Sequence, residues 1–146
     1  MKNPKKIISL LVVAVITIAC FNFQQIEPWQ SNQLIEPKNL ATQIESQNTV
    51  QPLLISVGPG GLIKGSVEVG PAKEKANLEK LKQLLSNEKK DRDIVIYCGC
   101  CPFEHCPNIR PPFTLLNDLK FTNHKLLNLS HNIKMDWIDK GYPTNN

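Results

Sequence analysis

Four of the five cysteines fall within nine residues, Cys98-Gly-Cys-Cys-Pro-Phe-Glu-His-Cys106. The run starts where an apolar stretch, Asp93-Ile-Val-Ile-Tyr97, ends. Open α/β sheets expose their ligand crevice at the carboxyl ends of strands, so a thiol at that point is placed for chemistry. Backbone N–H groups at the start of a following helix favour an anion there, a thiolate included. Free cysteine is often simply buried, but four in nine residues exceeds what packing needs. Such a set could work as a nucleophile with neighbouring thiols, as a metal site, or as a redox couple. Cys98, Cys100, Cys101, His105 and Cys106 offer soft ligands suited to zinc or cuprous copper. Cys98 and Cys101 form one Cys-x2-Cys arm, and the second arm of a zinc ribbon is missing. The same two residues have the spacing of a thiol–disulfide exchange pair.

The elements that must hold this loop follow from periodicity. Leu53 to Val57 and Ile94 to Tyr97 are continuous apolar runs, the pattern of strands covered on both faces. Residues 63 to 69 have strand character broken by Gly65, and Lys125 to Leu129 reads as a further strand. Helices are expected over 35–45, where Pro37 suits a first turn, and over 72–89, where Leu78, Leu81 and Leu85 recur at helical spacing. Two more are expected over 110–120, with Phe113, Leu116 and Leu119 inward, and over 135–140, stopped by Gly141 and Pro143. Alternating strands and helices imply an α/β fold: a mainly parallel open sheet with helices on both faces.

The chain has 146 residues, enough for one domain with a sizeable core. Lys2, Lys5 and Lys6 precede an uncharged run of 13 residues, Ile7 to Ala19. A basic flank, a short apolar stretch and a small residue at its end read as an export signal over residues 1–19. The run falls short of the ~20 residues of a spanning helix, although extension through Cys20 and Phe21 leaves an uncleaved anchor open. Thr17-Ile-Ala-Cys20 resembles a lipobox, which would make Cys20 a lipidated residue; a plain signal cysteine is the other reading. Residues 20–34 read as a polar tether and 35–146 as the domain. Without the three lysines the net charge falls from +4 to +1, and the lysines of 73–90 alternate with glutamates. Nothing there calls for nucleic acid. A periplasmic or cell-envelope location is expected, tethered to the membrane through the N-terminus.

Four pieces of the last 55 residues resemble a rhodanese (sulfurtransferase) domain. Asp93-Ile-Val-Ile-Tyr-Cys98 is similar to the family's strand ending in Tyr-Cys. Arg110 resembles the arginine that closes the active loop and opens the next helix. Phe113 to Phe121 follows that helix, and Trp137-Ile-Asp-Lys-Gly-Tyr-Pro143 resembles the closing Trp-x-x-x-Gly-x-Pro. Weaker echoes are Leu53 to Val57 and Ile63-Lys-Gly-Ser66. The departures are a loop of eleven residues between Cys98 and Arg110 in place of about four, and Ser56, Gly58, His131 and Asn132 where the family carries other residues.

The resemblance implies a sulfurtransferase that holds sulfane sulfur as a persulfide on Cys98, cradled by backbone amides of residues 99–109. Arg110 would orient an anionic donor. Cys106, four positions before Arg110, is the alternative nucleophile, and Cys100 and Cys101 are candidate resolving thiols. The implied partner is a small sulfur-containing anion or a thiol acceptor. The protein would act as a monomer without a cofactor, or with zinc or copper on the metal reading. Among other residues, His124 reads as structural and His131 as a loop residue able to approach the pocket. Glu104 and His105 read as exposed loop positions, Phe113 and Trp137 as core, and Gly58-Pro-Gly-Gly61 as a turn. Trp29 has no assignment.

Overall fold

The computed structural model describes residues 26–46 and 50–145. The expected signal over 1–19, Cys20 and the first part of the tether lie outside the described residues. Among the described residues no helix is long and apolar enough to cross a membrane.

Among the described residues five strands form one sheet: β1 (Leu34–Ile35), β2 (Leu53–Ser56), β3 (Val67–Glu68), β4 (Ile94–Tyr97) and β5 (His124–Leu127). Their order is β1-β5-β4-β2-β3 and every neighbouring pair is parallel. Four α-helices among the described residues accompany them: α1 (Pro37–Glu45), α2 (Lys75–Leu85), α3 (Arg110–Asp118) and α4 (Ile133–Asp136). The expected α/β architecture with a parallel sheet is thus present.

Strand β4 is central and buried along its whole length, as its unbroken apolar run requires. Successive strand residues point to opposite faces. Ile94 and Ile96 enter a core with Leu81 and Leu85 of α2 and Phe113 and Leu116 of α3. Val95 and Tyr97 enter a second core with Leu40 and Ala41 of α1, and with Ile133 and Trp137 at and just beyond α4. The Tyr97 hydroxyl accepts from the Ile63 N–H at 3.2 Å and meets Ser66 Oγ at 2.9 Å, which satisfies the one polar group the strand buries there.

Several elements differ from expectation. The strand expected over 63–69 is confined to Val67–Glu68, because Gly65 adopts φ +77° and turns the chain. Ile63 instead makes an isolated bridge with Thr144. The closing helix divides into α4 and a 3-10 turn, Ile138–Lys140, ended by Gly141 at φ +71°. The described part of the segment expected to be a tether, 26–34, packs against the rest of the fold. Leu34 and Ile35 pair with Leu126 and Leu127 as the sheet edge. Trp29 packs on Phe103 and Phe113, with ring centroids 6.1 and 5.7 Å away. Asn117 donates to the Pro28 carbonyl at 2.8 Å. The apolar area of Trp29 outweighs the polar residues around it.

Candidate functional site

The carboxyl ends of β2 and β4 lie side by side, tied by the Val57 N–H to the Tyr97 carbonyl at 2.9 Å. Cys98 follows β4 and keeps its alternation, so its side chain enters the core shared by α2 and α3. Gly58 follows β2, and a Cβ built on it would collide with Cys98 Sγ. Only glycine leaves room for the sulfur. Gly99 is pinned in turn: its carbonyl accepts from the Ile133 N–H at 3.0 Å, and a Cβ there would meet Ile133 at 2.8 Å. Beyond it the chain swings out through Cys100 and returns through a 3-10 turn, Phe103–His105, to the start of α3. Phe103 anchors that turn, buried and donating its N–H to the Leu129 carbonyl at 3.0 Å.

This path converges three sulfurs. Those of Cys98, Cys100 and Cys106 all lie within 4.8 Å of one another, close enough to hold a metal ion. Cys98 Sγ is 3.3 Å from Cys100 Sγ, which is 3.3 Å from Cys101 Sγ. All four loop cysteines are free thiols. Cys98 is 1% exposed and Cys106 0%, while Cys100 is exposed and Cys101 half-buried. The buried Asn108 side chain donates to Cys98 Sγ at 3.7 Å and accepts from the Lys73 N–H at 3.3 Å.

The protons are shared unequally. The Cys106 thiol donating to Cys98 is the main reason the Cys98 thiol is held down at about 5, with burial opposing. The Cys100 N–H, the Cys100 thiol and the Asn108 amide add to the effect. Donation to Cys98, then burial, pushes Cys106 up. Cys100 is pushed up to about 12 by burial and by its Cys98 and Cys101 neighbours. Cys98 is thus the thiol of the three that gives up its proton most readily.

The remaining candidates are placed elsewhere. Cys101 and His105 fall outside the mutually close sulfurs, so the five-donor metal set contracts to three. Arg110 does open α3, but its guanidinium pairs with Glu27, donates to the Glu104 carbonyl at 2.7 Å and lies 5.5 Å over the Trp29 ring. It braces the outer wall of the loop. His131 is exposed and bonded to Asp136 at 3.0 Å. His124 is buried beside Phe113 and reaches Asn117 Oδ1 at 2.9 Å.

Sequence reasoning missed Gly58 and Asn108. A glycine at a strand end is a visible signal of close approach; an asparagine ten positions after Cys98 carries no pattern that points to its sulfur. In comparisons with known proteins, no protein-family model matches this chain and no curated protein matches it.

Proposed function

We propose that the cysteine loop binds a soft metal ion, cuprous copper foremost, through Cys98, Cys100 and Cys106. The observation that carries this is the mutual approach of their sulfurs within 4.8 Å, from a strand end, a loop tip and a helix approach. Thiolates select cuprous copper, zinc and iron–sulfur clusters. Structural zinc almost always takes four ligands, so three sulfurs suit three-coordinate copper better. The thiol hydrogens between these sulfurs stand where a cation would sit, and binding would release them. The buried Cys98 and Cys106 would hold the ion, and the exposed Cys100 gives it an entry side.

The test is anaerobic titration of the reduced chain with cuprous ion. One ion per chain is expected, with Cys98→Ser or Cys106→Ser abolishing tight binding, and Cys101→Ser or His105→Ala retaining it. Undiminished binding by Cys98→Ser sinks the proposal.

A second reading, sulfane-sulfur carriage on a rhodanese-like scaffold, is supported by the Tyr97-Cys98, Arg110 and Trp137-to-Pro143 resemblance. The position of Cys98 after β4, with the Asn108 amide directed at its sulfur, also supports it. Its obstacle is the near-complete burial of Cys98, which requires the Cys100 side of the loop to swing aside for a donor. Incubation with thiosulfate or polysulfide should then add the mass of one sulfur to the Cys98 peptide. Export and membrane attachment through the N-terminus belong to the same proposal, supported by the pattern of Lys2 to Ala19.

A further inference from the structure

The geometry points to a further activity that does not depend on metal binding: Cys98 and Cys100 form a thiol–disulfide exchange couple, with Cys100 the outward sulfur and Cys98 the resolving one. The Cys-x2-Cys spacing of Cys98 and Cys101 suggested a different pair. In the fold Cys100 is the sulfur beside Cys98, at 3.3 Å, whereas Cys101 is outside the set of sulfurs that all lie within 4.8 Å of one another and touches Cys100 at 3.3 Å. Joining Cys98 and Cys100 needs the sulfurs to close by roughly 1.3 Å, to the usual S–S length. Gly99 lies between them with no side chain of its own, and its fixed carbonyl leaves the Cys100 end of the loop to supply that movement.

The accessibilities divide the work. A disulfide arriving from solution meets Cys100, which is exposed, and cannot reach Cys98, which is 1% exposed. Cys98 already lies beside the Cys100 sulfur, where it would resolve a mixed disulfide from behind.

The oxidant is a small-molecule or peptide disulfide. The Cys100 sulfur attacks one sulfur of the incoming disulfide and gives up its proton as the S–S bond forms. A mixed disulfide forms on Cys100, and the departing thiolate takes up the Cys100 proton and leaves as a thiol. The Cys98 thiolate then attacks the Cys100 sulfur, the intramolecular bond forms, and the second thiolate leaves. The protein pair loses two electrons and one proton, and the incoming disulfide is reduced to one thiol and one thiolate. Run backwards, the couple oxidises a pair of thiols. Since both sulfurs are consumed, the oxidised loop keeps only Cys106 of the three converging ligands.

The test uses the full chain, metal-free and reduced, incubated with oxidised glutathione, quenched with acid, alkylated and mapped by peptide mass spectrometry. The expected product has lost two hydrogens through a Cys98–Cys100 link, with Cys101 and Cys106 alkylated. In Cys98→Ser a stable glutathione adduct should accumulate on Cys100, and Cys101→Ser should still form the link. A Cys100–Cys101 or Cys98–Cys106 link, or an unreacted loop, overturns the inference, and mapping of the unaltered chain decides this even if a variant fails to fold. Failure to bind cuprous ion would sink the metal proposal and leave this couple standing.

Discussion

A sulfur atom in this loop is defined by what surrounds it, and Gly58 shows how narrowly. Gly58→Ala would drive a methyl into Cys98 Sγ. Overpacking of this kind costs about 1–3 kcal/mol. The expected outcome is a folded protein with a lowered denaturation midpoint and cuprous binding weakened by at least tenfold, checked by chelator competition. Binding at full strength in this variant would show that the ion does not need Cys98 in its present position. Acidity gives a second prediction at this scale. Cys100 and Cys106 hold their protons above the usual thiol range, and those protons must leave when a cation binds. Affinity for cuprous ion should therefore rise steadily with pH through neutrality. It should fall away below about 5, where Cys98 also takes up a proton. Calorimetry in buffers of different ionisation enthalpy would count the protons released.

At the level of elements, α3 buries Pro112, Phe113 and Leu116 beside the site. Phe113 is fully buried between Trp29 and His124, so Phe113→Ala should cost ~3–5 kcal/mol, read from denaturant unfolding. His124 opens β5, and burial lowers its pKa below the usual 6.5, with the Phe121 carbonyl opposing. Below 6.5 the unfolded chain gains a proton that the native imidazole resists, so stability should be complete above that pH and decline beneath it. His124→Gln should flatten the decline between about pH 7 and pH 5. Strand β4 and its terminal cysteine were legible in the sequence because an unbroken apolar run announces a doubly covered strand. Strand β1 was not legible: Leu34 and Ile35 are two residues without a period, and only the backbone of β5 makes them a strand. Which cysteines converge was equally hidden, because it depends on where Phe103 anchors the returning loop.

Across the whole molecule, the segment before β1 is fastened to the far side of the cysteine loop. Glu27 and Arg110 are 83 positions apart and form an ion pair, and no local pattern connects them. Trp29 fills the space between, against both Phe103 of the loop and Phe113 of α3. Trp29→Ala should lower stability by about 1–3 kcal/mol through two lost ring contacts and lost burial. It should also raise hydrogen exchange across residues 103–110 more than across β2. Equal protection in both regions would mean that the segment merely lies on the surface. The second fold-wide feature is the parity of β4, where Ile94, Ile96 and Cys98 share one side while Val95 and Tyr97 share the other. Parity counts residues and is indifferent to their names. Excising a single codon within 94–97 would shift the strand side chains that follow it across the sheet, carrying Cys98 into the layer that houses Trp137. The chain could remain an α/β protein after such a deletion, yet its thiols would be divided between two faces that never meet.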